Sequence, residues 1–177
     1  MRSRLKAATR AEHDALDGRL GALDLADPDQ YRTFLLIQYA ARKPIEEWLA
    51  ASATDTPSPP EMCGQIAADL AELGIAAVPP ARRFVPAADA DALGVAWVVS
   101  GSSLGNRFML ADLAKRGATP AAVRFLSDPA MTEYFSELRS TIERPDDEAA
   151  PAIAGAKAAF SHFRTVCEAM LPPRLAA

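Results

Sequence analysis

The sequence predicts an all-α fold, a compact bundle of six to eight helices that spans residues 1–177 as a single domain. The length of 177 residues fits one domain. Half of the residues are hydrophobic, which is enough for a sizeable core without disulfides. Ala and Leu, which favour helices, are abundant, whereas runs of β-branched and aromatic residues are scarce. Apolar residues also recur every three or four positions along most of the chain.

Two long helices are predicted in the first third of the chain. The first runs to about Leu23, and one of its faces carries Leu5, Thr9, His13, Leu16, Leu20 and Leu23. The second begins at Asp27-Pro28, an N-cap followed by a proline in the first helical position. Pro44 lies inside this second helix, where a kink is expected.

Five further helices are predicted from apolar periodicity and from stop and start signals. They are Met62 to Leu73, about Ala87 to Lys115, one opened by Thr119-Pro120, one opened by Asp128-Pro129, and about Asp147 to Leu171. Pro172-Pro173 is expected to end the last helix.

Composition excludes several classes of partner. The net charge of −4 argues against nucleic acid, which requires a clustered basic surface. The charged start of the chain is not followed by the apolar stretch of a signal peptide, and no run approaches the roughly 20 apolar residues of a membrane span. Cys63 and Cys167 match no metal-ligand spacing. We therefore expect a cytoplasmic protein that binds neither nucleic acid nor a membrane.

His13 is the first residue that could carry chemistry. It is one of two histidines and lies on the apolar face of the first helix. A lone histidine on such a face is often a core residue, but neutral imidazole is also the usual protein ligand of haem iron. Asp17, one turn later, and Glu12 could accept a hydrogen bond from the ring and orient it. The residues alone leave both interpretations open.

The second feature is the segment from Gly101 to Gly105, which reads Gly-Ser-Ser-Leu-Gly. Its two glycines are four apart and share one helix face. Each is about 1 kcal/mol less favourable than Ala inside a helix, which suggests that a ligand or a neighbouring helix approaches the backbone closely. Lys6, two turns before His13, and Arg139 could meet carboxylates of a ligand, or could simply be solvated.

Other kinds of site fit poorly. A di-iron bundle needs Glu-x-x-His pairs, and neither histidine has a Glu three positions before it. There is no Walker loop and no dinucleotide fingerprint.

Two segments together resemble the haem oxygenase family. The stretch Leu5 to His13 is similar to the family's proximal segment, in which a Leu-Lys pair precedes a threonine and the ligand histidine follows four residues after it. Asp17 takes the place of an acidic residue one turn after that histidine. The stretch Gly94 to Gly105 resembles the distal helix in its bacterial form, with a Gly-Ser-x-Leu-Gly core. Weaker similarities lie at Tyr31 to Leu49 and at Leu138-Arg139-Ser140.

The resemblance implies a haem-cleaving enzyme in which haem is both substrate and cofactor. Haem would lie between the first and distal helices, with His13 as the metal ligand. Other implied haem-binding residues are Lys6, Thr9, Asp17, Gly101, Gly105 and Arg139. The implied catalytic residues are Gly101, Ser102 and Gly105, which would steer oxygen toward one meso carbon. The products would be biliverdin, carbon monoxide and ferrous iron, with O2 as co-substrate and electrons from a donor such as ferredoxin or a flavin reductase.

Three residues depart from the family pattern. Ser102 stands where mammalian members carry an aspartate, and Asn106 and Arg107 follow where many members have a second small residue. These departures favour an alternative, a non-catalytic haem-binding or haem-sensing protein on the same fold. A third interpretation is a relative of the fold that binds no haem, in which His13 is a core residue.

Overall fold

Nine helical segments make up the described part of the chain, which comprises residues 1–52, 56–76, 78, 82–142 and 149–171 of a computed structural model. They are α1 (Arg2–Ala8), α2 (Arg10–Leu20), α3 (Pro28–Ala51), α4 (Cys63–Glu72), α5 (Ala92–Gly101), α6 (Ser103–Lys115), α7 (Arg124–Ser127), α8 (Ala130–Thr141) and α9 (Ala149–Met170). Single residues, Thr9 and Ser102, separate α1 from α2 and α5 from α6. Counting each pair as one kinked helix gives seven, so the predicted all-α bundle of six to eight helices is confirmed.

Helix α3 begins where the cap–proline signal predicts. The Asp27 carboxylate accepts hydrogen bonds from the backbone amides of Asp29 and Gln30, both at 3.0 Å, and Pro28 is the first helical residue. The helix continues through Pro44 to Ala51 as one element. The core lies where α3, α5 and α9 pack against one another.

Helix α5 begins at Ala92, so the expected start near Ala87 is wrong. Residues 87–90 instead form a turn, in which the Ala90 amide donates to the Ala87 carbonyl. The cap is Asp91, whose carboxylate accepts from the Leu93 amide at 2.8 Å. Its own amide donates to the Pro151 carbonyl, which ties this helix start to α9.

Two glycines allow α5 and α9 to pack with their backbones in contact. A Cβ atom at Gly94 would lie 1.8 Å from the Ala152 carbonyl oxygen, and one at Gly155 would lie 2.3 Å from the Asp91 carbonyl oxygen. Neither position has room for a side chain. Gly94 and Gly155 are therefore the glycines that tight helix packing requires.

The predicted continuous helix from Ala87 to Lys115 is also interrupted, at Ser102. Three serine hydroxyls donate to carbonyls of the preceding turn: Ser100 to Ala96 (2.6 Å), Ser102 to Val99 (2.8 Å) and Ser103 to Ser100 (2.6 Å). Such bonds compete with the helical ladder and bend helices, here next to the flexible Gly101. This break is called the α5–α6 kink below.

Helix α7 does not start at Thr119-Pro120 as expected, because its cap comes from another helix. The buried Asp69 of α4 accepts hydrogen bonds from the amides of Arg124 (3.0 Å) and Phe125 (2.9 Å), and the Arg124 guanidinium lies 3.2 Å from the same carboxylate. The helix therefore begins at Arg124.

The later boundaries agree better with prediction. Asp128 accepts from the Ala130 amide at the start of α8, as the second cap–proline pair predicts. The predicted last helix is observed as α9, whereas Asp147 and Pro172-Pro173 lie outside the described residues. Within the described segments, none of the helices combines the length and the apolar character that crossing a membrane requires.

Candidate functional site

His13 lies on α2 with its side chain 57% exposed, so it is not a core histidine. Its Nδ1 atom is 3.2 Å from an Asp17 carboxylate oxygen and 3.7 Å from Asp14. One edge of the ring packs on Phe160 of α9, with the ring centroids 6.1 Å apart. With Nδ1 directed at a carboxylate, Nε2 points away from that partner.

The other residues of the predicted apolar face of the first helix differ in burial between α1 and α2. Leu5 and Thr9 are buried, whereas α2 contains no buried residue, and Leu16 and Leu20 are only partly covered. The Thr9 hydroxyl donates to the Leu5 carbonyl at 2.8 Å and closes the break between α1 and α2. Thr9 therefore shapes the backbone before His13 rather than presenting its hydroxyl to a ligand.

Glu12 does not orient the histidine. Its carboxylate lies 3.9 Å from the Lys157 ammonium group of α9, so it helps to hold α2 against α9. Of the two acidic residues expected to orient the ring, only Asp17 is in place.

Gly101 and Gly105 differ from the packing glycines in having room for a methyl group. A Cβ atom at Gly105 would meet only the Met109 Cε atom, at 3.9 Å, and one at Gly101 would meet only the Phe135 ring, at 3.7 Å. Both are ordinary van der Waals distances. None of the described residues presses against these two backbones, so tight helix packing does not explain these glycines.

The same face of α6 exposes two large apolar side chains. Leu104 is 53% exposed and Phe108 is 81% exposed. By helical spacing they lie beside Gly105, whereas the buried Asn106 and Leu113 lie on the opposite side of the helix. We call Gly101, Leu104, Gly105 and Phe108 the distal face.

Helix α9 contacts His13 directly and reaches Ser102 through Arg42. Phe160 contacts His13, and Phe163, three residues later, lies 6.0 Å from the Arg42 guanidinium, which in turn binds Ser102.

An ion pair joins the end of α6 to the loop after α2. The Arg116 guanidinium, just after α6, lies 2.8 Å from the Asp24 carboxylate in the loop after α2. The hydrogen bond from Arg116 lowers the pKa of Asp24, and the bond to Asp24 raises the pKa of Arg116. Because both side chains are about half exposed, the pair adds little stability, but it places the end of α6 beside the loop after α2.

Ser102, at the α5–α6 kink, has most of its hydrogen-bonding capacity in use. Its hydroxyl donates to the Val99 carbonyl (2.8 Å) and accepts from Nη2 of Arg42 (2.5 Å). A hydroxyl has one donor and two acceptor positions. Ser102 therefore retains one acceptor position and no spare donor.

Arg42 is the residue that the sequence analysis missed. Leu35, Gln38, Arg42, Ile45 and Leu49 recur every three or four positions along α3, which places an arginine in the middle of a core-facing stripe. A charged residue within an apolar stripe was the sequence signal that could have identified Arg42. The side chain is 1% exposed.

Asn106 does not reach the distal face. It is buried on the other side of α6, with its amide nitrogen 3.5 Å from the Phe125 carbonyl. Arg107 is exposed, next to Phe108. The bulk that the sequence places after Gly105 is thus directed away from that glycine's open side.

Lys6 and Arg139 are both exposed cations, and neither forms an ion pair with any described residue. Arg139 lies one turn after Phe135 on α8, and Phe135 is the side chain next to Gly101. It therefore stands at the border of the distal face. Lys6 is on α1, two turns before His13.

The remaining candidate groups are structural. His162 is buried against Phe84 and hydrogen-bonds the Ala41 backbone, and burial, together with Arg82, lowers its pKa. Burial raises the pKa of both thiols, that of Cys167 to about 11, so neither is a reactive nucleophile. Elsewhere in the described residues, no group of three or more His, Cys, Asp or Glu side chains could hold a metal ion.

Comparison with known proteins does not assign the chain to a family. No protein-family model matches the chain, and no curated protein matches it.

Proposed function

We propose that the chain is a haem oxygenase, which cleaves haem with O2 and electrons to biliverdin, carbon monoxide and ferrous iron. The observation that carries the proposal is the state of His13. Its ring is exposed, its Nδ1 is held by Asp17, and its Nε2 is turned away from that carboxylate. A histidine that has no further metal ligands beside it among the described residues would suit an iron whose other protein-independent ligands are supplied by a porphyrin.

The residues present fit haem in three further respects. At Gly105 a Cβ atom would meet only the end of the Met109 side chain, and at Gly101 only the Phe135 ring, so no backbone blocks the approach of a flat ring there. Leu104 and Phe108 form an exposed apolar surface that an apolar ligand would cover. Lys6 and Arg139 are cations without an ion-pair partner among the described residues, and they are suited to the two propionates.

In this proposal the chain contributes binding, orientation and electrostatics, while haem supplies the oxygen chemistry itself. His13 would hold the iron through Nε2, and the Asp17 carboxylate would orient the imidazole and raise its basicity. The distal face would cover one side of the haem and exclude bulk water from it. Ser102 offers an acceptor for one ordered water, in place of the acid found in mammalian members. A ferredoxin or a flavin reductase would supply the electrons.

Addition of hemin to the purified chain tests the proposal. We expect a one-to-one complex with a Soret band, which is lost when a reductant is added in air while biliverdin appears. A stable complex that never turns over would favour the alternative, a non-catalytic haem-binding or haem-sensing protein. Absence of any complex would refute both.

A matched pair of variants locates the ligand. His13→Ala should abolish or strongly impair turnover, with partial recovery on addition of imidazole. His162→Ala should leave the spectrum of the complex nearly unchanged, because His162 is buried against Phe84 and the backbone of α3. The reverse pattern would show that the proposed site is in the wrong place.

A further inference from the structure

Arg42 is a buried cation without a carboxylate partner. It is the largest fully buried side chain among the described residues, and it takes part in none of the ion pairs that those residues form. Burial lowers the pKa of its guanidinium, although Glu46, one turn later, acts in the opposite direction. Arginine nevertheless stays charged in proteins. The Glu46 oxygens are used elsewhere, as acceptors for the amides of Met62 and Cys63.

The guanidinium is held by hydrogen bonds and aromatic rings. Nε donates to Gln38 (3.1 Å), and Nη2 donates to the Ser102 hydroxyl (2.5 Å) and the Val99 carbonyl (3.3 Å). The rings of Phe125 and Phe163 lie 5.2 and 6.0 Å from its central carbon. Nη1 has no partner among the described residues.

Stability alone does not account for this residue. A buried charge carries a desolvation penalty, and replacing such groups by apolar side chains of similar size is often neutral or stabilising. A buried N–H without a partner adds to the cost. Arg42 does, however, join the last turn of α5 to the residue at the break, by binding the Val99 carbonyl and the Ser102 hydroxyl with the same nitrogen. An apolar side chain of the same length cannot do this.

We propose that Arg42 is a positioning residue for the haem site, which fixes the α5–α6 kink through Ser102 and so determines where Gly101 and Gly105 stand. That Arg42 serves a haem site rests on the proposed function, whereas its contacts with the kink do not. Gly101 directly precedes Ser102, and the Gly105 amide donates to the Ser102 carbonyl at 3.0 Å. A shift of Ser102 would therefore move both glycines of the distal face.

The first test uses the haem-free full-length chain. Arg42→Met should increase hydrogen exchange about tenfold at the amides of Ser102, Gly105 and Asn106, since their acceptors lie within the kink and a charged hydrogen bond is lost. Exchange in α4 should not change. Arg32→Met, the same substitution earlier on α3, is the matched control and should leave the kink protected. Unchanged exchange at the kink in Arg42→Met would overturn the proposal, whatever the protein does with hemin.

The second test uses the haem complex and a double-mutant cycle. Arg42→Met and Ser102→Ala should each change the ratio of biliverdin isomers. The double variant should give the same ratio as the stronger single variant, because the two residues act as one unit. Fully additive effects would overturn the proposal. A role in stability alone would lower the melting temperature without changing the isomer ratio.

The experiments remain decisive if Arg42→Met fails to fold or if the parent chain binds no hemin. If Arg42→Met does not fold, Arg42→Lys replaces it, since lysine keeps the charge but lacks the planar fork that reaches two acceptors. We expect faster exchange at the kink in this variant too, and parent-like exchange would contradict the proposal. If the parent chain binds no hemin, the proposed function fails, and the exchange experiment alone then decides whether Arg42 fixes the kink.

Discussion

Replacing Gly105 by alanine should stabilise the haem-free protein and impair its function. Gly105 lies inside α6, where glycine is about 1 kcal/mol less favourable than alanine. The added methyl group has room, because its nearest neighbour is the Met109 Cε atom at 3.9 Å. We therefore expect a gain of about 0.4–1 kcal/mol in the free energy of unfolding. For a chain of this length, that raises the melting temperature by about 1–4 °C.

The same methyl group occupies the space that haem would need. If the porphyrin ring lies against the distal face, Gly105→Ala should displace it. Haem cleavage should then be slower by about tenfold or more. The assays are thermal melting of the haem-free protein and decay of the Soret band with reductant in air. A melting temperature below that of the parent, or unchanged turnover, would refute the reasoning.

Gly94→Ala is the contrasting control. The Cβ atom there would lie 1.8 Å from the Ala152 carbonyl oxygen, so the α5 and α9 backbones would have to separate. Overpacking of this kind typically costs about 1–3 kcal/mol or more, and the haem-free protein should melt well below the parent. Opposite shifts for the two substitutions would distinguish a glycine that serves packing from one that leaves room for a ligand.

Three further predictions concern single residues. Asp17→Ala should weaken hemin binding about tenfold or more through loss of the Nδ1 partner, whereas Asp14→Ala, whose carboxylate is farther from the ring, should have a smaller effect on the measured Kd. Lys6→Glu or Arg139→Glu should weaken hemin binding or mix the cleavage isomers, because like charges would then face the propionates; if both variants match the parent, these cations are merely solvated. The lowered pKa of His162 means that the unfolded chain takes up its proton first, so stability should fall as the pH drops below about 6.5. Denaturant unfolding from pH 7.5 to 5 should show a shallower decline for His162→Phe, and equal slopes would contradict this assignment.

Local signals in the sequence were sufficient for much of the fold. Asp27-Pro28 and Asp128-Pro129 mark helix starts correctly because the cap and the amides that it binds are neighbours in the chain. Thr119-Pro120 is the same signal, but no helix follows it directly. The amides at the start of α7 are bound by Asp69, which lies 55 residues before Arg124, and no local pattern reveals such a partner.

The candidate site was predictable in its residues but not in its connections. The spacing of His13 and Asp17 predicts their pairing, because residues four apart are neighbours on a helix. The glycine pair at 101 and 105 predicts an open or a closely packed face, and only the fold distinguishes these, by placing the tight contact at Gly94 and Gly155 instead. The bond from Arg42 to Ser102 spans 60 residues and depends on how α3 meets the kink.

The cap that α4 provides for α7 has a consequence for the order of folding. A helix of four residues is too short to form by itself, because nucleation fixes several residues before any bond compensates for the lost entropy. Its first amides find their acceptor only after Asp69 has been brought in by the docking of α4. Helix α7 should therefore form after α4 docks. Mutation of Asp69 should accelerate unfolding more than it slows folding, which is the kinetic signature of a contact made late.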